Sequence, residues 1–350
     1  MKLNLIAFAV AGALSTTLLL SGCQSTQTQD AQAAAVMAEN PLLVASTLQY
    51  QAPNFSQIKD EHFQSALEQG IKEHYQQVLA IANNQDDPTF ANTIVAMETS
   101  GELLTRASQV FYNLTSSNSN PALRKIQGEM APKMAAHSDN IHLNGKLFSR
   151  IDSLYQQRDS LGLTNEEVRL IEVYHQRFVM AGAKLTEDQK AQIRVLNEEQ
   201  SKLTNEFSQR LLRLTKEIAV VVDNVDELKG LSDSDIRAAK ADAKAAGHEG
   251  KYLLNITNTT RQPVLAKLEN RELRQKVWQA SATRGMSGEN ETASLVSRLA
   301  QLRAERAKLL GYDSWADYRL TPQMAKTPEA VYQMFGSMVP AVVANTQKEA

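Results

Sequence analysis

The residues of this chain that could do hydrolytic or metal chemistry are few, and their spacing limits what they can do. A water-activating zinc on a helix needs two histidines four residues apart, so that both imidazoles reach one ion, with a glutamate between them to take the proton. No such pair occurs among the six histidines. His248-Glu249 is a His-Glu dipeptide, but it stands between glycines and has Tyr252 in the place of the second ligand, so it reads as a surface loop. His137 and His142 leave a helix about 140° apart and do not converge on one ion. Glu172-Val-Tyr-His175 has the Glu-x-x-His spacing of a di-iron bundle, yet that centre needs a second copy and two further glutamates. Since His175 falls on an apolar stripe, it reads as a hydrogen-bonded core histidine. Gly285-Met-Ser287-Gly288 is too short for a nucleophile elbow, and phosphate-cradling glycine patterns are absent. No catalytic, cofactor-binding or metal-ligating residue is therefore assigned.

Charge excludes another class. With a net charge of -2 and 22% charged residues, the chain has no basic stripe interleaved with aromatics, so no nucleic acid partner is expected. The single cysteine, Cys23, has a more specific setting. Lys2 precedes an apolar run from Leu3 to Leu20, and the chain turns polar at Gln24, the layout of a signal peptide over residues 1–22. Leu20-Ser21-Gly22-Cys23 resembles the bacterial lipobox, in which the cysteine sulfur is lipidated and becomes the mature N-terminus. That resemblance implies a lipid-anchored envelope protein. Gln24, where an inner-membrane retention signal often has Asp, implies the outer membrane, facing the periplasm. The Asn-x-Ser/Thr triplets at Asn113, Asn255, Asn258 and Asn290 are then read as unmodified.

The elements that would carry any site are helices. Residues 23–40, rich in Gln, Ser, Thr and Ala, read as a lipidated cysteine and flexible tether, and residues 41–350 as the folded body. Asp87-Pro88, Asn120-Pro121 and Thr327-Pro328 each place a capping side chain before a proline suited to the first helical position. Thr164/Glu167 and Thr186/Gln189 have capping-box spacing. Ile193, Leu196, Leu203, Phe207, Leu211, Leu214 and Ile218 form one apolar stripe after Thr186. The preceding segment, with Val168, Ile171, His175 and Phe178, is its simplest partner in a helical hairpin. Residues 219–222 and 252–256 are β-branched or apolar runs that predict a small ribbon. Val331, Met334, Phe335, Met338 and Val342 share a face of the last helix and read as core. That helix has no stop signal at Lys348-Glu349-Ala350, so the sequence reads as ending mid-structure. The absence of a long internal linker predicts one continuous body.

Several stretches, in order, resemble the zinc metallopeptidase family of thimet oligopeptidase, oligopeptidase A and peptidyl-dipeptidase Dcp. They include Asn40-Pro-Leu-Leu43, Pro88-Thr-Phe-Ala-Asn-Thr93, Glu98-Thr-Ser-Gly101, His137-Ser-Asp-Asn-Ile-His-Leu-Asn144, Asn255-Ile-Thr-Asn-Thr-Thr-Arg-Gln-Pro263 and Leu302-Arg-Ala-Glu-Arg-Ala-Lys-Leu-Leu-Gly311. The pattern is most similar to the Dcp-like branch, which removes dipeptides from peptide C-termini. The resemblance implies a mainly α fold: the multi-helix N-terminal half of a channel-containing oligopeptidase, with a small β element. It implies short peptide substrates, a membrane contact through the lipid anchor, and zinc for the full-length family member. The zinc ligands would lie beyond Ala350, so this chain by itself is expected to bind no zinc and to be inactive. The alternative is a non-enzymatic helical envelope lipoprotein that binds peptides or a protein partner through the surface left by the missing half.

Overall fold

The structure, a computed structural model, describes residues 40–349. Cys23, the signal segment and nearly all of the tether lie outside the described residues. The described residues form two compact units: residues 40–74 with 101–118, and residues 75–100 with 119–349. Helix α1 (Glu61–Ala82) contributes to both.

In the first unit, α1 packs on α2 (Glu102–Ser117), with Gly70 set closely against Leu104. A Cβ there would lie 2.8 Å from the Leu104 Cα, so a side chain would push the helices apart. Phe63 and Phe111 fill the core with ring centres 5.3 Å apart. Asn40, which the sequence placed in the tether, is instead built into this unit: its Nδ2 donates to the His62 carbonyl at 2.8 Å, and its Oδ1 accepts from Leu42 N. A buried amide is retained because both its ends are satisfied.

In the second unit, the helix expected to begin at Pro88 starts instead at Phe90, in a π-helical segment Phe90–Val95. Thr89 is the cap, because Thr89 and Asn92 bond each other's backbone N–H reciprocally, whereas Asp87 serves only through its carbonyl, which accepts from Asn92 Nδ2. Asn120 and Thr327 cap their helices as expected. The unit continues with α3 (Pro121–His142), α4 (Gly145–Gln157), α5 (Asn165–Ala181) and α6 (Glu187–Glu217). Both predicted capping boxes are present at the starts of α5 and α6. Ile151, Leu154, Ile171 and Phe178 form the core between α4 and α5, with Ile94 from the π-helical segment. Arg150 fixes the loop before that segment, donating to the carbonyls of Asn84 and Asp86 and to Asn92 Oδ1 at 2.8–3.0 Å.

The hairpin expectation fails at the partner. α6 packs chiefly on α3 and on α10 (Ala293–Leu309), while α5 packs chiefly on α4. The apolar faces are where the sequence puts them, but helical spacing says which residues share a face and not which helix meets it. Arg298 of α10 grips Glu199 of α6 with both ends of its guanidinium, at 2.7 and 2.8 Å.

The predicted ribbon forms: β1 (Val220–Val222) pairs antiparallel with β2 (Tyr252–Leu254), Val221 opposite Leu253. Helices α7 (Asp233–Ala245), α8 (Arg261–Lys267) and α9 (Arg271–Ala282) surround it, with Val222, Leu228, Leu254, Leu273 and Val277 buried together. α11 (Trp315–Leu320) and α12 (Pro328–Glu349) end the described chain.

The apolar residues of α12, expected in the core, share a face, but none is buried: Met334 is 53% exposed, Phe335 43%, Met338 49% and Val342 54%. Among the described residues nothing covers that face. Amphipathic spacing predicts a surface to be covered and cannot supply the cover.

Candidate functional site

The fold keeps the flagged histidines apart. His248 and Glu249 are exposed in the turn after α7. His137 is buried on α3. One turn on, the His142 ring lies against Phe178 with centres 5.0 Å apart, and its Nδ1 is 2.8 Å from the Ser138 carbonyl. An acceptor at that distance makes Nδ1 the protonated nitrogen. Burial holds the His142 pKa below the usual histidine value. His175 is buried and hydrogen-bonded, as the sequence reading has it: its Nε2 meets Asp152 Oδ1 at 2.9 Å, and its ring stacks on Tyr155 with centres 3.8 Å apart. Burial lowers its pKa as well, against the opposing pull of Asp152. Among the described residues, no group of three or more His, Cys, Asp or Glu side chains is placed to hold a metal ion.

The other motifs are structural. Gly285 takes φ +73°, and its carbonyl accepts from the Thr292 backbone at 2.8 Å, closing the loop that contains Ser287. Asn290, in the same loop, is buried, with its amide held between Arg213 and Glu217 of α6. Asn113 and Asn258 are exposed, and Asn255 donates to Asp242.

A polar concavity lies elsewhere, in a cleft of about 220 Å³ bounded by α3, α5, α6 and α10. Asp139 and His142 line it from α3, Asn197 and Gln200 from α6, and Arg306 from α10. Asn197 Nδ2 donates to Asp139 Oδ1 at 2.7 Å, linking α6 to α3. Burial raises the Asp139 carboxyl to about 6, although the Asn197 hydrogen bond and the charges of Arg306 and Arg194 pull it down. A buried carboxylate behaves this way when its neighbours only partly replace lost hydration. Arg306 does not pair with it; one guanidinium nitrogen donates to the Tyr318 hydroxyl at 3.3 Å instead.

Sequence reasoning missed this cleft. It weighed His137 and His142 as metal ligands and passed over Asp139 between them. No local signal was available: at about 100° per residue Asp139 falls nearly opposite the face of α3 that carries Ile126, Met130 and Ile141 into the core, where an aspartate reads as exposed. Which partner it finds depends on α6 and α10, far along the chain.

Residues 264–350 match the model of peptidase family M3, and the mainly α fold with its two-stranded ribbon is the one that the family resemblance implied. The relatives are particular. The chain is 43% identical over 303 residues to the dipeptidyl carboxypeptidase of Escherichia coli K12, covering 86% of this chain and 44% of that protein. It is 41% identical to the dipeptidyl carboxypeptidase of Salmonella typhimurium LT2, over 89% of this chain and 47% of that one. Oligopeptidase A of Haemophilus influenzae is 27% identical over 89% of this chain and 45% of its own length. The chain is thus similar along most of its own length to dipeptidyl carboxypeptidases and, more distantly, to an oligopeptidase A. It spans less than half the length of each of these relatives.

Proposed function

We propose that this chain is the N-terminal, channel-wall half of a zinc-dependent peptidyl-dipeptidase that hydrolyses short peptides and releases C-terminal dipeptides, held by a lipid on Cys23 at the outer membrane and facing the periplasm. The observation that carries the reading is the 43% identity over 86% of the chain to a dipeptidyl carboxypeptidase, against 27% to an oligopeptidase A. The side chains described do not offer a zinc site, so no catalytic step is assigned to any of them. The ligands and the groups that act on the scissile bond are assigned to the part of the protein that the relatives carry and this chain does not. The uncovered apolar face of α12 supports this, because a contiguous exposed apolar surface of that kind marks a docking surface. The lipobox at Leu20–Cys23 supports the anchor.

An immunoblot of membranes from the native organism, with antibody against residues 186–350, tests the reading. A detergent-extractable band near twice the size of the 350-residue chain is expected, together with dipeptide release that a chelator abolishes and zinc restores. Cys23→Ser should move that band to the soluble periplasmic fraction. A band only at the size of this chain would refute the reading in favour of a non-enzymatic envelope lipoprotein. Purified residues 24–350 are expected to cleave no peptide, and zinc-dependent cleavage by them would equally overturn it.

A further inference from the structure

Residues 41–58, the segment of the first unit that leads into α1, contain no charged side chain, where the 22% average of the whole chain would place about four. The segment nevertheless faces water with apolar groups. Val44, Leu48 and Phe55 are exposed, and Tyr50 is 93% exposed. The backbone is strained where it presents that ring: Tyr50 and Gln51 both take left-handed φ values, +57° and +55°, which cost energy in residues that carry a Cβ. Hydrogen bonds from Gln51 N to the Leu48 carbonyl at 2.9 Å and from Ala52 N to the Gln49 carbonyl at 3.2 Å hold the turn in place. The same segment forms most of a groove of about 150 Å³ lined by Leu42, Val44, Leu48, Ile58 and Val110. Arg106 of α2 is the single charged residue in that lining, and it donates inward, to the Leu42 carbonyl at 3.3 Å.

These features select a partner. Charged groups set the choice and orientation of a protein partner, and this segment offers none. The boundary between lipid headgroups and acyl chains asks for what it does offer: aliphatic and aromatic side chains to enter the apolar layer, and a tyrosine whose hydroxyl stays among the headgroups. Its place in the chain points the same way. Sixteen residues, 24–39, separate Cys23 from the start of the described chain, a stretch that spans at most about 60 Å fully extended. A lipid on Cys23 therefore keeps the segment close to the membrane, and a linked second contact engages at high effective concentration even when weak by itself.

We propose that residues 41–58 form a membrane-docking surface, with Val44, Leu48, Tyr50 and Phe55 entering the headgroup boundary of the leaflet that anchors the chain. The inference rests on the lipid-anchor reading of Cys23 and goes beyond it, since an anchor by itself leaves the first unit in water.

A fluorescent probe at position 50 tests it. An acylated Cys23 offers no thiol and the chain has no other cysteine, so Tyr50→Cys in the lipidated protein purified from membranes takes a single bimane label. Tyr50 is almost wholly exposed, so the change leaves the packing intact. In vesicles of phosphatidylethanolamine and phosphatidylglycerol the label is expected to shift to shorter wavelength and to be quenched by nitroxides on the lipid acyl chains. A label at Lys72→Cys, exposed on α1, should do neither. Adding Phe55→Glu should return the label at position 50 to its emission in water while the protein stays on the vesicles. A lipidated protein whose label at position 50 remains in water, or is quenched no more than the one at position 72, would overturn the proposal and leave the anchor standing. A label shielded from water but untouched by the lipid nitroxides would mean that another part of the protein or a second copy covers the segment, and would overturn it as well. Mass spectrometry showing no lipid on Cys23 would refute the anchor instead. The label at position 50 is then read in a Cys23→Ser background: a shift on adding vesicles sustains the docking surface, and no shift overturns it.

Discussion

Replacing Asp139 with Asn should make the protein more stable at pH 8 and leave it nearly unchanged at pH 4. The carboxyl is raised from its ordinary 3.8 to about 6, chiefly by burial, so the folded state favours the protonated form and the unfolded state the ionised one. Across the window from about 4 to about 6 the folded protein holds a proton that the unfolded chain has released, so stability falls as pH rises through it. Above pH 6 the whole cost is present; below 3.8 both states are protonated and it vanishes. At 1.36 kcal/mol per pH unit the displacement corresponds to about 3 kcal/mol, and water entering the open cleft reduces that to about 1–2 kcal/mol. Asn keeps the acceptor for Asn197 Nδ2 and adds a donor for the unpartnered Asn197 Oδ1. Thermal unfolding of both proteins at pH 8 and pH 4 reads this as a gain of roughly 2–6 °C at the higher pH only. A variant less stable at pH 8, or a gain equally large at pH 4, would refute the reasoning, since either would mean that the carboxylate is stabilising or that its ionisation is irrelevant.

Two further outcomes follow from packing. Arg150→Met should destabilise the second unit by about 3 kcal/mol, because it strips the Asn84 and Asp86 carbonyls and Asn92 Oδ1 of a charged donor; urea unfolding with near-ultraviolet dichroism would report it, and a change under 1 kcal/mol would show that the clamp is replaceable. Met338→Lys on α12 should change the unfolding free energy of this chain by less than about 0.5 kcal/mol, since that side chain is half exposed; a large loss of stability in urea unfolding would mean that the face is covered after all.

Local chemistry was legible in the sequence. The capping pairs at Thr164 and Thr186, the caps at Asn120 and Thr327 and the short ribbon at 220–222 and 252–254 were readable because each depends on residues within a few positions of one another, or on a run whose composition suits a strand. His175 was readable as a core residue because its stripe is periodic, although Asp152 as its partner was not. The shift of the first cap from Asp87 to Thr89 shows the margin: two nearby side chains could cap, and the reciprocal bond with Asn92 decided between them. The sequence also showed that the flagged histidines lack the spacing to share one ion, and it carried the family resemblance.

What the sequence could not decide is which faces meet. The stripe on α6 had to be covered, but α3 and α10 cover it more than the neighbouring α5 does, and only the assembled fold brings Arg298 to Glu199. The cleft is the same case. Asp139, Asn197 and Arg306 stand on three helices spread over 168 positions of the sequence, and no local rule links them. Their energetics, an acid raised by burial beside a guanidinium it does not touch, arise from loss of solvent, which belongs to the tertiary structure alone. The face of α12 marks the boundary from the other side: periodicity determined that Phe335 and Met338 share a surface, and the fold of residues 40–349 leaves that surface open.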